Sequence, residues 1–83
     1  MSEPAHILVI DDDERLRELL GRFLEESGFR VTGANSAAEA RDYMKVMHFD
    51  LLVIDVMMPG ETGVEFLASI RPAANIPALF LTA

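Results

Sequence analysis

Ile7-Leu8-Val9-Ile10-Asp11-Asp12-Asp13 and Leu51-Leu52-Val53-Ile54-Asp55 are built alike: four apolar residues run into aspartate. Short runs rich in Val and Ile read as strands buried on both faces, as in parallel sheets. A carboxylate at the end of such a strand is costly unless something offsets its charge. If the two strands are neighbours in a parallel sheet, their C-terminal ends bring Asp11, Asp12 and Asp55 into one crevice. Open α/β sheets carry their chemistry there. Anions clustered in this way ask for a divalent cation.

The segments around these strands fit the same plan. Leu16, Leu19, Leu20, Phe23 and Leu24 recur at i, i+3, i+4, i+7 and i+8, the period of an amphipathic helix. Asp13 or a neighbour suits its N-cap, and Gly28 suits the residue just past its end, with Phe29 after it. Arg30–Ala34, interrupted by Gly33, reads as a short strand fit for a sheet edge. Ser36-Ala37-Ala38-Glu39 has the form of a capping box and opens a helix with Ala40, Tyr43, Met44 and Met47 on one face. After Asp55 comes a loop, Val56 to Gly63, broken by Pro59-Gly60. A third helix over about Gly63–Arg71 carries Val64, Phe66, Leu67 and Ile70. Pro72 and Pro77 bracket a turn into a last run, Ala78–Thr82, of the buried-strand type. Strands alternating with helices predict right-handed crossovers and a parallel sheet covered on both faces.

Composition narrows the function classes. The chain has 83 residues, 51% hydrophobic, enough for one small core. A domain of this size buries about 60–65% of its unfolded surface and is marginally stable. Seven basic against 14 acidic residues give a net charge of −7. That balance argues against direct nucleic-acid contact by this segment and against an anionic membrane surface. There is no cysteine, so no disulfide or thiolate site forms. No stretch reaches the roughly 18 apolar residues of a membrane span, and Met1-Ser2-Glu3-Pro4 lacks the features of a signal peptide. The cytoplasm is the expected compartment.

Taken together, I-L-V-I-D-D-D, L-L-V-I-D-V-M-M-P-G with Gly63 shortly after, and P-A-L-F-L-T-A closely resemble response-regulator receiver domains of two-component signalling. The resemblance covers nearly the whole chain. It implies a flavodoxin-like (CheY-like) α/β fold with strand order 2-1-3-4. It implies that Asp55 is the phosphoacceptor for a sensor histidine kinase, so that the chain receives a phosphoryl group and is not an enzyme. Asp11 and Asp12 would hold Mg2+, Asp12 as the more direct ligand, together with Asp55 and the backbone carbonyl of Met57. Thr82 would turn its hydroxyl toward the phosphoryl group. The loop D-V-M-M-P-G-E-T-G resembles regulators whose receiver precedes a winged-helix DNA-binding domain (OmpR/PhoB-like).

The resemblance also implies a fifth strand bearing a lysine and an aromatic switch residue, with flanking helices. The sequence stops at Ala83, before them, and Lys45 on the second helix cannot substitute. The expectation is therefore a truncated receiver over residues 1–83 whose fourth strand forms an apolar edge prone to self-association. A signalling-incompetent fragment, acting only as an interaction module, is the second reading. A haloacid-dehalogenase-type phosphohydrolase wants a second Asp two positions after the nucleophile, and Met57 stands there. A Rossmann cofactor site is excluded by the lack of G-x-G-x-x-G after the first strand. His6 and His48 have no ligand spacing and are expected to be structural.

Overall fold

The computed structural model describes residues 3–71 and 73–82. They form β1 (His6–Ile10), α1 (Glu14–Glu26), β2 (Arg30–Ala34), α2 (Ala37–Val46), β3 (Leu51–Asp55), α3 (Gly63–Ile70) and β4 (Ala78–Leu81). The strands make one parallel sheet, as the alternation of elements predicts, in the order β2-β1-β3-β4 that the family resemblance implies. Pro72, one end of the expected turn, lies outside the described residues.

Side chains alternate across a strand, so β1 and β3 feed two cores. Leu8, Ile10, Leu52 and Ile54 face α2 and α3 with Ala37, Ala40, Phe49 and Phe66. Ile7, Val9 and Val53 face the other way, against Leu20 and Leu24 of α1. Residues 7–10 and Leu52 and Ile54 are almost wholly removed from solvent. Each such aliphatic side chain stabilises the fold by about 1.5–3 kcal/mol, which is why these two strands occupy the centre. The chain steps from β1 to β2 in one direction and from β2 to β3 to β4 in the other. With crossovers of one hand, that reversal sends α1 to one face and α2 and α3 to the opposite face. The reversal falls between β1 and β3, which opens the crevice at their C-terminal ends.

Local chemistry explains the element ends. Asp13 caps α1, its Oδ1 accepting the amides of Arg15 (3.0 Å) and Leu16 (3.2 Å). At the other end Phe29 N–H donates to Leu24 O and Gly28 N–H to Glu25 O. This is the paired C-terminal pattern that needs a left-handed residue, and Gly28 supplies it at φ +98°. The capping box expected at Ser36 forms by half. Ser36 Oγ accepts the Glu39 amide (3.1 Å), but Glu39 Oε1 takes the amide of Asn35 (2.8 Å), one residue before the cap. The complete reciprocal box sits at α3, between Thr62 and Glu65.

One further expectation changes: Val64 of α3 is exposed and is not part of the core-facing stripe. β4 is the apolar edge strand expected of it, covered less than β1 and β3, with Leu79 60% and Phe80 39% exposed. An edge strand has a neighbour along one side alone, so an apolar run there is covered less completely. The two histidines have structural partners. His6 lies tilted against Phe49 (4.6 Å between centroids) and shares a 2.7 Å hydrogen bond with Thr32 Oγ1, while His48 pairs with Asp50 at 3.3 Å.

Candidate functional site

Asp11 is the first residue past β1 and continues its ladder, its amide donating to Ala34 O (3.0 Å). It is buried, 2% exposed, while Asp12 beside it is exposed. Asp11 Oδ1 accepts the Asp13 amide (2.9 Å), so the first acidic residue also braces the residue that caps α1. Asp55 closes β3, in register with Leu81 of β4. Its Oδ1 accepts the amide of Met57 (3.1 Å), which folds the start of the following loop back over the carboxylate.

Asp11, Asp12 and Asp55 each offer an oxygen, and these oxygens lie within 4.8 Å of one another. They line a crevice of about 360 Å³ with Asp13, Leu16, Leu81 and Thr82. The fold thus brings together four of the five residues singled out from sequence. Met57 is the fifth. It stands beside the crevice through its amide, with its side chain largely exposed.

Three carboxylates in so small a space repel one another. Burial pushes the Asp11 carboxyl above the ordinary carboxylate range. The Asp13 amide opposes that shift, and the nearby charges of Asp55 and Asp12 add to it. A basic side chain does approach, but for a different purpose. Arg17 lays its stem over Gly33, where a Cβ would stand 3.5 Å from Arg17 Cδ, and donates to the backbone carbonyl of Asp11 (2.7 Å). That hydrogen bond fixes the strand end and falls on the carbonyl, not the carboxylate. The donor set is all oxygen and net negative, with one ligand buried against its preference for being charged. It fits a hard divalent cation such as Mg2+.

A prediction follows from Asp11. Its folded pKa is raised, so the stability it permits is fully present below the unfolded carboxylate pKa and is lost as pH rises through the folded value. The metal-free protein takes on that cost as pH rises. Asp11→Asn keeps the acceptor for the Asp13 amide and removes the charge. Thermal melts without metal should show the variant more stable at pH 7 by on the order of 1 kcal/mol, roughly 4–8 °C, with the gap closing at low pH. Added Mg2+ should raise the melting temperature of the wild type more than that of the variant, in which Asp12 and Asp55 remain as carboxylate donors.

Two further residues shape the site, Gly63 of the sequence motif and Arg41 outside it. Gly63, the first residue of α3, packs directly on the backbone of the phosphoacceptor candidate. A Cβ there would stand 2.3 Å from Asp55 O and 2.7 Å from Ile54 Cγ2. Its amide donates to Val56 O (3.0 Å), closing the loop at its base. Arg41 of α2 holds Glu61 of the same loop. The Gly63 spacing is visible in the sequence, but the contact behind it is not. The Arg41–Glu61 pair has no sequence signal, because its partners lie 20 residues apart on different elements.

The fold and crevice define a parallel α/β domain with an acidic pocket at the reversal of strand order. Residues 7–83 match the response regulator receiver domain family, and the chain belongs to that family. It is 46% identical over 82 residues to Protein PetR of Rhodobacter capsulatus, covering 99% of this chain and 35% of that protein. It is 42% identical over 82 residues to transcriptional regulatory protein YvrH of Bacillus subtilis, covering 98% of this chain and 35% of that one. The chain therefore spans about a third of the length of the curated relatives it matches. Among solved structures it superposes on the response regulator TrrA of Thermotoga maritima in complex with Mg(2+)-BeF. That match has a TM-score of 0.89 and 35% identity over 95% of this chain and 70% of that one. A receiver protein from Pseudomonas putida gives a TM-score of 0.90 at 28% identity, over 99% of this chain and 70% of that one. No helix among the described residues is long and apolar enough to cross a membrane.

Proposed function

We propose that this chain is the phosphoacceptor of a two-component response regulator, taking a phosphoryl group onto Asp55 from a phosphohistidine of a sensor histidine kinase in the cytoplasm. The observation that carries this reading is the meeting of Asp11, Asp12 and Asp55 within 4.8 Å at the strand-order reversal. Thr82 on the same crevice supports it.

The chemistry asked of the chain is small. An oxygen of the Asp55 carboxylate attacks phosphorus, the P–N bond to the imidazole breaks, and the ring nitrogen keeps the electron pair and takes up a proton. The product is an acyl phosphate on Asp55, so the chain is itself modified and does not act as an enzyme. Asp11, Asp12, Asp55 and the backbone carbonyl of Met57 would hold Mg2+, with Asp12 as the more direct carboxylate. When bound, the ion supplies positive charge against the transferring phosphoryl oxygens. The Met57 amide orients the attacking carboxylate, since it holds Oδ1. The Thr82 hydroxyl, at the end of β4, would donate to a phosphoryl oxygen and so distinguish the two states. In the whole protein the output is DNA binding through a winged-helix domain. Relatives named as transcriptional regulatory proteins support this, and the charge of −7 argues against nucleic-acid contact by this segment. Incubation with a small acyl phosphate donor should label the chain in the presence of Mg2+ and leave it unlabelled in chelator.

A second reading, an interaction module working through self-association, is favoured by the exposed Leu79 and Phe80 on the β4 edge. Two chains pairing along Ala78–Leu81 would satisfy the free strand edge and cover both side chains. Sedimentation should show the dimer fraction rising with concentration in the micromolar range. Leu79→Lys should return the chain to a monomer, and a monomer throughout in the wild type would contradict the edge pairing.

A further inference from the structure

Between Asp55 and Gly63, the first residue of α3, the chain runs seven residues, and three anchors hold this loop. Met58 is buried in the larger core. Gly63 presses on the Asp55 carbonyl. The third anchor is the tie to α2: Arg41 Nη1 donates to Glu61 Oε1 (2.8 Å) and Arg41 Nη2 to Glu61 Oε2 (2.6 Å). Nη2 also donates to Ser69 Oγ (2.6 Å), which in turn donates to the Phe66 carbonyl (2.6 Å). The guanidinium lies 5.1 Å from the ring centroid of Phe66, a fully buried side chain of α3. One arginine thus joins α2, the loop and α3.

We propose that Arg41 is a positioning residue for the phosphoacceptor site: by gripping both oxygens of Glu61 it holds the Asp55–Gly63 loop in the form that presents Asp55 and the Met57 backbone to Mg2+. Two observations set it apart from an ordinary surface ion pair. The contact is two-pronged and stacked on a buried ring, a geometry that lysine cannot reproduce. It also falls two residues before the glycine that touches the backbone of Asp55 itself. Side-chain exposures of 36% and 31% keep its contribution to global stability small, so its effect is on local order. The ion pair holds the Glu61 carboxyl below the ordinary carboxylate range, which keeps the grip intact at neutral pH.

The inference rests on the proposed phosphoacceptor reading, and two measurements separate the two. The first is amide hydrogen exchange of the metal-free chain at Met57, Met58, Gly60 and Glu61. The second is the Mg2+ dissociation constant by NMR titration. In Arg41→Gln the loop amides should exchange at least tenfold faster while those of β1 and β3 stay unchanged, and Mg2+ binding should weaken about tenfold, the scale of losing a partner that orients ligands. Arg41→Lys, which keeps the charge and loses the fork, should fall between. Glu61→Gln tests the other partner and should reproduce the effect. Unchanged loop exchange and Mg2+ affinity in Arg41→Gln would overturn the positioning role and leave the phosphoacceptor reading standing. A uniform rise in exchange across the sheet would overturn it too, by showing a purely structural role. Failure of the wild type to bind Mg2+ at all would remove both.

Discussion

Asp55→Asn should lower phosphoryl labelling by about a thousandfold or more, because the amide oxygen is a far weaker nucleophile than a carboxylate. The fold should survive. Asn has the same shape, Asp55 is half-buried, and an amide oxygen still accepts the Met57 N–H that Oδ1 accepts now. The metal should be weakened and not lost, since Asp11 and Asp12 remain as oxygen donors. The comparison is made with one donor at one Mg2+ concentration, with a thermal melt alongside. Labelling of the variant at the wild-type rate would mean that the phosphoryl group goes elsewhere.

Gly63→Ala is expected to have the largest effect on stability of any glycine-to-alanine change in this chain. The new Cβ meets Asp55 O at 2.3 Å and Ile54 Cγ2 at 2.7 Å. Neither neighbour can give way cheaply. One is the backbone of a strand hydrogen-bonded on both sides, and the other is a side chain with no exposed surface. Overpacking of this kind costs about 3 kcal/mol. For a domain whose whole stability is about 4–12 kcal/mol, the melting temperature should fall by roughly 12–24 °C. Whatever relief the chain finds must move α3 or Asp55, so Mg2+ affinity should fall as well. Gly28→Ala is the control. It sits at φ +98° with nothing within 4 Å of the added Cβ, and should cost about 1–2 kcal/mol without touching the site.

The centre of this fold was legible because two runs of four aliphatic residues can hardly be anything but interior parallel strands, and each ended in the residue that mattered. Strand alternation with helices implied a parallel sheet, the family resemblance supplied the strand order, and the order set the crevice. The outer parts were less legible for physical reasons. Ala78–Leu81 has the apolar content of β3, so its edge position was readable from the strand order and not from its composition. Glu39 had the spacing of a reciprocal cap, but its side chain reached one residue further back to Asn35, a choice made by local backbone geometry. The complete box at Thr62–Glu65 has its spacing in the sequence, directly after the Pro59-Gly60 break that marks the region as loop. Arg41 was beyond reach altogether. Its partners are Glu61, Ser69 and the ring of Phe66, and only the packing of α2 against α3 brings them together.

These errors cluster at the rim, whereas the carboxylates converge as expected, since the buried strands carry them to fixed positions. That convergence makes Asp55 the natural target of a direct chemical test. The chain is incubated with a small acyl phosphate donor and Mg2+, reduced with borohydride, digested and mapped by mass spectrometry. Borohydride converts an aspartyl phosphate to homoserine, so the position of attack is recorded permanently. The account predicts homoserine at position 55 alone, and none when Mg2+ is chelated. Homoserine at Asp11 or Asp12, or modification that persists without the metal, would contradict it.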